Sequence, residues 1–302
     1  MDVDVKDFTR SIARKVRLIE IYTNKAVTEV LAGEYSSVFK GTGIEFEEVR
    51  EYEPGDEIRS IDWNVTARMG RPFVKRYVEE RELTVWLLVD LSASGRFGSR
   101  SQLKNEAAAE FCALLAFAAI RNNDKVGMIV FTDGVELSIA PAKGRRHVLR
   151  LIRELLRFQP KGVGTDLSAA LEYLGKVTHK RGVVFLVSDF LTSVPLAENS
   201  GKELRILARR HDLIAVAIGD ARENELPDVG LVELEDPETG QRLLLDTSSR
   251  RVREEYARRA FNRIENRRAL FQASGIDEVQ IEAGRDYVRD LRALFRKRSN
   301  RR

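Results

Sequence analysis

The sequence predicts an α/β protein built on a doubly wound, mostly parallel sheet with one antiparallel edge strand. From Leu83 onward, short apolar runs alternate with longer segments of helical spacing. Such alternation gives parallel strands with helices on both faces of the sheet. The tripeptide Thr132-Asp133-Gly134 is a hairpin turn signal that joins two apolar runs directly, which adds the antiparallel strand.

The chain ahead of the sheet, residues 1–82, is predicted to be an N-terminal α+β region. Apolar positions at helical spacing predict one or two helices that end near Gly33. Residues 34–82 then contain several glycines, many charges and short β-like pieces such as Phe73–Tyr77. This stretch is interpreted as a helical and hairpin region that precedes the sheet domain.

The rest of the chain, residues 83–302, is predicted to form the sheet domain. The predicted strands are Leu83–Val89, Lys125–Phe131, Val135–Ala140, Val183–Val187, Leu213–Ile218 and Glu278–Glu282. The predicted helices are Gln102–Arg121, Arg146–Arg157, Leu167–Val177, Gly201–Arg210, Arg251–Ala273 and Arg285–Lys297. Leu231–Asp246 is predicted to be a hairpin that turns at Asp236–Gly240, inserted before the last helix-strand-helix unit.

Composition argues against several classes of protein. The 51 basic and 47 acidic residues leave a formal charge of +4, which is small for a nucleic-acid binder. The longest apolar runs, such as Phe111–Ile120, are shorter than the roughly 18–20 residues that cross a bilayer, and the acidic N-terminus is unlike a signal peptide. We therefore expect a cytoplasmic protein without a membrane partner, in which the single cysteine, Cys112, is a core residue.

Oxygen-bearing side chains follow the first predicted strand of the sheet. Asp90, Ser92 and Ser94 alternate along the chain where the strand becomes a loop, so one carboxylate and two hydroxyls can face one point. Hard oxygen ligands suit Mg²⁺ or Mn²⁺ better than zinc or copper. Alone, the same short pattern is also typical of a serine-rich turn or a helix cap.

Two further side chains with oxygen atoms, Thr165 and Asp189, lie in or at the start of other predicted loops. Thr165 lies in a glycine-containing loop just before a helix, where Thr165 or Asp166 can also serve as a helix cap. Asp189 follows the apolar strand Val183–Val187, and a carboxylate there needs a partner to offset its desolvation. Sites in open sheets form at the carboxyl ends of strands, near the switch in strand order. We expect these groups to meet Asp90 at that edge.

The order and spacing of Asp90, Ser92, Ser94, Thr165 and Asp189 resemble the metal-ion-dependent adhesion site of von Willebrand factor A-type (vWA) domains. The resemblance implies that the two serines and the threonine contact Mg²⁺, with Mn²⁺ as an alternative, and that the aspartates act through bound waters. It also implies an open coordination position for an Asp or Glu of a protein partner.

The segment before the sheet carries a second pattern. It consists of Phe39–Phe46, Arg50–Tyr52, Pro54–Asp56, Arg59–Trp63 and Ala67–Arg68. This pattern resembles the bacterial and archaeal family called domain of unknown function 58. The resemblance implies a MoxR-type AAA+ ATPase as partner, whereas the charges of the segment are interpreted as structural salt bridges around Trp63.

Two alternatives to a binding module stay open. A metal-dependent hydrolase or phosphatase is less favoured because Ser92 stands where haloacid-dehalogenase-like phosphatases carry an aspartate as general acid. His147, His179 and His211 are scattered and are interpreted as surface residues. Nucleic-acid binding through the arginine-rich helix 250–268 and Arg296–Arg302, which we expect to be a frayed tail, lacks interleaved aromatic residues.

Overall fold

Two units make up the chain. The computed structural model describes residues 16–21, 23, 35, 38–39, 43–80, 82–192 and 194–300. The smaller unit spans Phe39–Leu83, and the larger unit comprises Met1–Val38 and Thr84–Arg302. This division separates the predicted N-terminal region, residues 1–82, into two parts. Most of the predicted helices before Gly33 lie outside the described residues, although 16–21 are helical.

The smaller unit is an antiparallel ribbon with a short helix between its strands. Strand β1 (Gly43–Glu51) pairs with β2 (Phe73–Glu80), and helix α1 (Trp63–Met69) lies between them in sequence. Asp62 caps α1 by accepting hydrogen bonds from two backbone N–H groups, and Gly70 ends the helix at φ 69°. Only part of β2 was expected from the sequence, since β1 is rich in charge and α1 is short.

Some of the charges singled out in this unit form ion pairs. The guanidinium of Arg50 lies 2.7 Å from Asp56, and the ammonium of Lys75 lies 3.3 Å from Asp62. The side chain of Trp63 is 67% exposed. The pairing of Arg50 with Asp56 fits the structural interpretation of these charges, and Trp63 itself is an exposed residue at the start of α1.

The larger unit contains the predicted sheet. Its strands are β3 (Thr84–Asp90), β4 (Lys125–Phe131), β5 (Val135–Ala142), β6 (Val183–Ser188), β7 (Asp212–Gly219), β8 (Leu231–Glu235), β9 (Arg242–Asp246) and β10 (Asp277–Glu282). Six of them form one sheet in the order β10-β7-β6-β3-β4-β5, in which only β5 is antiparallel to its neighbour. Strands β8 and β9 form the predicted hairpin as a separate two-stranded sheet. These pairings confirm the predicted fold class, a doubly wound sheet of the vWA or Rossmann-like kind with one antiparallel edge strand.

Helices cover the two faces of this sheet. In chain order they are α2 (Lys104–Arg121), α3 (Arg145–Arg157), α4 (Leu167–Val177), α5 (Leu196–Arg210), α6 (Arg250–Ala273) and α7 (Val288–Ser299). Helix α2 is buried almost all round, which suits its alanine- and leucine-rich sequence, and Cys112 within it is buried as predicted. Helix α5 begins five residues before the predicted Gly201, because the apolar Leu196 extends its buried side.

The C-terminal arginines are not a frayed tail. Helix α7 continues to Ser299, and Arg298 on it donates hydrogen bonds to Asp212 at 2.6 Å and to Asp277 at 2.8 Å. Those aspartates are the first residues of β7 and β10, so the guanidinium fastens the helix to the starts of these two neighbouring strands. The prediction for Arg296–Arg302 is therefore wrong for the part that the structure describes.

The predicted site residues Asp90 and Asp189 follow the two strands between which the strand order switches. Strand β3 is the first strand of the sheet, and the chain adds β4 on one side of it and β6 on the other. Val89 of β3 lies beside Val187 of β6 in the parallel register. The loops that follow Asp90 and Ser188 therefore leave the sheet next to each other, where such folds form their sites.

Candidate metal centre

Asp90, the last residue of β3, is the most enclosed acid of the centre. It is only 8% exposed. The backbone N–H of Ser92 donates to its Oδ1 at 2.9 Å, and the hydroxyl of Ser188 donates to its Oδ2 at 2.7 Å. Burial, reinforced by the nearby charge of Asp189, raises the pKa of Asp90 to about 7. The carboxylate is thus held in one orientation, in surroundings that disfavour its charge when no cation is present.

Two buried hydroxyls lie beside this carboxylate. The Oγ atoms of Ser92 and Ser94 are 3.0 Å apart, and both side chains are at most 6% exposed. A short 3₁₀ turn, Ala93–Arg96, bends the chain immediately after Ser92. The two serine hydroxyls therefore face each other because the chain turns after Ser92, and not because the strand continues.

Asp189 enters from the loop after β6. Its Oδ1 accepts a hydrogen bond from the backbone N–H of Leu191 at 2.9 Å. The residue between them, Phe190, has a φ of 56°, a left-handed conformation that is strained for a residue with a bulky side chain. Its ring is 4% exposed and packs edge to face on Phe271, with centroids 5.3 Å apart. Packing in the core thus holds the turn that aims Asp189.

A buried lysine pairs with Asp189. The ammonium of Lys104, at the start of α2, lies 2.6 Å from Asp189 Oδ2 and also contacts Glu223. The Lys104 side chain is 2% exposed. Burial opposes its charge, yet the attraction of Asp189 and Glu223 leaves the pKa of Lys104 above its ordinary value. Burial also raises the pKa of Glu223, against the pull of Lys104.

The residues around Glu223 fix it in place. Asp220 caps the 3₁₀ turn that carries Glu223 and accepts hydrogen bonds from both the backbone N–H and the hydroxyl of Ser99, at 2.8 and 2.5 Å. The carboxylate of Glu223 in turn accepts a bond from the N–H of Asp220 at 3.0 Å. Lys104 is therefore clamped by acids from two loops.

A small cavity joins these groups. Its volume is about 10 Å³, close to that of a single water site, and its walls include Asp90, Ser92, Asp189 and Lys104. Asn105 lines it as well, and the buried Oδ1 of Asn105 has no hydrogen-bond partner among the described residues. A small space with an unsatisfied oxygen in its wall suits a water or a small hard cation.

The chemistry of these donors fits magnesium. No group of three or more His, Cys, Asp or Glu side chains in the described ranges is arranged to hold a metal ion. The donor set here consists instead of two carboxylates and several hydroxyls. Mg²⁺ takes oxygen ligands and retains several waters, so a site with few carboxylates is within its preference.

Thr165 lies on the third loop of the candidate centre. Its hydroxyl donates to Glu238 Oε1 at 2.9 Å rather than to one of the other predicted ligands. Asp166, next to it, caps α4 by accepting from the backbone N–H of Ala169 at 2.9 Å, one of the two caps that the sequence suggested. Burial raises the pKa of Glu238, and Asp189, Asp236 and Asp133 reinforce that shift while the Thr165 hydroxyl opposes it.

The third loop is joined to the first by backbone contact. The N–H of Ala93 donates to the carbonyl of Val163 at 2.9 Å. The N–H of Val163 in turn donates to Asp133 Oδ2 at 3.1 Å, so the carboxylate of Asp133 lies under this loop. Glycine at 162 permits that approach, since a Cβ there would lie 2.6 Å from Asp133 Oδ2.

We expect Gly162→Ala to lower the free energy of unfolding by about 1–3 kcal/mol, because neither neighbour of the new methyl group can move freely. Asp133 is tied to Val163, and the buried hydroxyl of Thr132, which the methyl group would also meet, is hydrogen-bonded to Glu136. Urea denaturation measures the change.

Gly134→Ala is the matched control for this prediction. Gly134 lies in the β4–β5 turn together with Thr132 and Asp133, and a Cβ there would have no neighbour within 4 Å. Its expected effect is within about 0.5 kcal/mol. Equal losses in the two variants would contradict the tight approach at Gly162.

The structure brings most of the predicted ligands together. Asp90, Ser92 and Asp189 line one cavity, and Ser94 is hydrogen-bonded to Ser92. Thr165 is on an adjoining loop and outside the walls of that cavity. Sequence reasoning did not find Lys104 or Glu238 as members of the centre. A lysine at the start of an apolar helix was a signal for the first, whereas no local pattern marked the second.

The histidines are not all surface residues. His179 is exposed, but His211 is 2% exposed and its ring lies 3.2 Å from the hydroxyl of Thr178 and 3.3 Å from the N–H of Gly182. Burial lowers the pKa of His211, and the charges of Arg210 and Arg181 act in the same direction. The prediction is therefore wrong for His211, which is a hydrogen-bonded core residue.

Comparison with known proteins identifies the family. Residues 48–266 match the family described as Protein of unknown function DUF58. The chain belongs to the DUF58 family. Uncharacterized protein Rv1480 of Mycobacterium tuberculosis (strain ATCC 25618 / H37Rv) is 32% identical to this DUF58 protein over 285 residues, which is 93% of this chain and 87% of the relative. Uncharacterized protein YeaD of Bacillus subtilis (strain 168) is 27% identical over 168 residues, 54% of this chain and 40% of the relative.

Solved structures similar to this DUF58 chain include two of low sequence identity. BatB from Bacteroides thetaiotaomicron matches with a TM-score of 0.48 and 13% identity, over 72% of this chain and 99% of that one. The SpRpn10 VWA domain matches with a TM-score of 0.40 and 10% identity, over 70% of this chain and 93% of that one.

Within the residues that the structure describes, no helix has the length and apolar character that crossing a membrane requires.

Proposed function

We propose that this DUF58 protein is a non-catalytic binding module that docks an acidic residue of a protein partner through Mg²⁺ or Mn²⁺. The observation that carries the proposal is the meeting of Asp90, Ser92 and Asp189 around one small cavity at the switch in strand order. Ser92, Ser94 and Thr165 would hold the cation directly, and Asp90 and Asp189 would act through waters. When bound, the cation supplies a positive centre that attracts a carboxylate.

The charge of the centre supports docking of an acid. Asp90 and Asp189 balance a divalent cation, but Lys104 already neutralises part of the negative charge of Asp189 and Glu223. A cation at this place therefore retains positive charge that an incoming Asp or Glu can meet. The family resemblance indicates a MoxR-type AAA+ ATPase as the protein that works with this module in the assembly or maturation of protein complexes.

The enzyme alternative has less support. A phosphatase of the haloacid-dehalogenase kind needs a general acid two residues after its first aspartate. Ser92 stands there, and its hydroxyl is buried against Ser94. A serine hydroxyl is a poor general acid at neutral pH, so the pair is better suited to coordination.

The nucleic-acid alternative also has less support. Arginines along α6 pair with acids, for example Arg258 and Arg259 with Glu255 and Arg267 with Glu278. These pairs engage part of the positive charge on α6 that phosphate binding would use.

The test of the proposal is metal binding together with metal-dependent capture of a MoxR-type ATPase from the same organism. We expect wild type to bind Mn²⁺, as seen by loss of the free-ion EPR signal, and to retain the ATPase in Mg²⁺ but not in chelator. Asp90→Asn, which keeps the side-chain volume, is expected to lose both properties. Equal capture with and without chelator would refute the adhesion site, and hydrolysis of a phosphate ester that Asp90→Asn abolishes would favour the enzyme.

A further inference from the structure

The β8–β9 hairpin belongs to the larger unit but is not fixed by apolar packing along its length. Its two strands form a sheet of their own, and neither contains a buried residue. The side chains of Leu231, Leu243 and Leu244 are between 57% and 70% exposed. Such a hairpin is fixed less firmly than a strand of the buried sheet.

The tip of the hairpin carries two carboxylates, of which that of Glu238 turns toward the candidate centre. The Oδ1 of Asp236 accepts hydrogen bonds from the backbone N–H groups of Glu238 and Thr239, at 2.9 and 3.3 Å. Gly240, with φ 70°, closes the turn by donating its N–H to the carbonyl of Asp236 at 2.7 Å. The other residues of this turn are exposed, but Glu238 is only partly exposed because its side chain turns toward Thr165.

Glu238 lies against a predicted ligand of the metal. Its Oε1 accepts the hydroxyl proton of Thr165 at 2.9 Å. Its Oε2 lies 3.9 Å from the position that a Cβ on Gly164 would take, so the carboxylate covers this loop. The chain therefore places an acidic side chain of its own beside a hydroxyl that would bind the cation.

The surroundings of Glu238 are acidic. The charges of Asp189, Asp236 and Asp133 all act on it unfavourably. No Lys or Arg in the described part of the chain forms an ion pair with Glu238, and Lys104 is occupied by Asp189 and Glu223. A nearby cation would strongly stabilise the charged form of a carboxylate in such surroundings.

We propose that Glu238 is an intrachain substitute for the partner's acidic residue, so that the hairpin closes the candidate metal centre until a partner displaces it. This inference rests on the proposed function, because it assumes that the centre holds a cation that attracts carboxylates. A partner's Asp or Glu then competes with Glu238. The hairpin, whose strands contain no buried residue, is the element that moves.

Mass action sets the size of the expected effect. A hairpin that is closed about nine-tenths of the time lowers the apparent affinity for a competing carboxylate about tenfold. By linkage, a carboxylate that enters the centre must open the hairpin to the same extent. Both effects can be measured without knowing the natural partner.

The experiment uses Mn²⁺ as the metal and acetate as the carboxylate probe, on the full chain. EPR first measures the affinity for Mn²⁺, and the relaxation of the acetate methyl protons then measures binding of acetate to the loaded protein. Glu238→Ala removes the competing carboxylate. Glu233→Ala, at an exposed position of the same hairpin, removes the same charge away from the centre. Hydrogen exchange over residues 231–246 reports opening of the hairpin.

We expect Glu238→Ala to bind acetate about tenfold more tightly than wild type and Glu233→Ala, with similar melting temperatures in all three. In loaded wild type, acetate is expected to speed exchange in the hairpin. If all three proteins bind Mn²⁺ but take up acetate equally, the hairpin is not a competitor, although the proposed function stands. If wild type binds no Mn²⁺, the proposed function and this inference are both refuted.

Discussion

Lys104→Met is expected to lower the free energy of unfolding by about 3–5 kcal/mol. Methionine keeps most of the volume and apolar length of the lysine side chain, so the loss reports the missing charge. Asp189, which lies 2.6 Å from the ammonium in wild type, would be left buried without a cation, and Glu223 would lose the same partner. Uncompensated buried carboxylates are costly, because protein groups replace their hydration only in part.

Urea denaturation at neutral pH, in the presence of chelator, measures this loss. Lys202→Met is the matched control, since Lys202 is an exposed lysine on α5. We expect that control to change the free energy of unfolding by less than about 0.5 kcal/mol. A loss below about 1 kcal/mol for Lys104→Met would show that the buried pair is not formed as described.

A second substitution separates the pair from general packing. Combining Lys104→Met with Asp189→Asn removes both charges, and much of the lost stability is expected to return. Mg²⁺ is expected to stabilise Lys104→Met more than wild type, because the cation replaces the charge that the ammonium supplied. The same loss in the single and double variants would place the defect in packing.

Much of the sheet could be predicted because, after residue 83, short apolar runs alternate clearly with segments whose apolar residues have helical spacing. Val85–Val89 is wholly apolar, as is typical of a strand covered on both faces, and Asp90 marks its end by its charge. Adjacent loops after Asp90 and Asp189 then follow from the rule that doubly wound sheets form sites at the switch in strand order. The prediction of a site at this edge needed no knowledge of side-chain contacts.

The partners of these residues could not be predicted in the same way. Lys104 lies 85 residues from Asp189 and 119 from Glu223 along the chain, and Glu238 lies 73 residues from Thr165. Nothing local distinguishes Glu223 and Glu238 from the many solvated acids of the sequence. Their pairing depends on how loops from separate strands converge, which the fold class alone does not determine.

Short elements were missed for a different reason. Helix α1 has seven residues, and its boundaries depend on the cap at Asp62 and the glycine at position 70 rather than on a repeating apolar pattern. At the other end, Arg298 has no apolar character, yet it is fastened to Asp212 and Asp277. The ends of α1 and the attachment of Arg298 thus depend on polar contacts and backbone conformation, which the spacing of apolar residues does not reveal.

Asp90→Asn is expected to make the metal-free protein more stable at pH 8 and to remove its stabilisation by Mg²⁺. Burial and the charge of Asp189 raise the pKa of Asp90 to about 7, above the value near 3.8 of an unperturbed aspartate. Between these two pH values the folded protein retains a proton that the unfolded chain has released. The contribution of Asp90 to the stability of the metal-free wild type therefore falls as the pH rises from about 4 to about 7, by on the order of 4 kcal/mol. Asparagine cannot ionise, so this loss is absent from the variant.

The pH dependence of the difference between the two proteins isolates Asp90 from the other titrating groups. Urea denaturation in chelator at several values between pH 5 and pH 8 is expected to give curves that converge toward the acidic end and separate as the pH rises. The amide oxygen of asparagine can still accept the N–H of Ser92, and its NH₂ can donate to the hydroxyl of Ser188, so the loop keeps its shape. Saturating Mg²⁺ should then stabilise wild type by mass action and leave the variant unchanged. Parallel curves would mean that the Asp90 carboxylate is not confined as described. Equal stabilisation of both proteins by Mg²⁺ would mean that it is not part of a cation site.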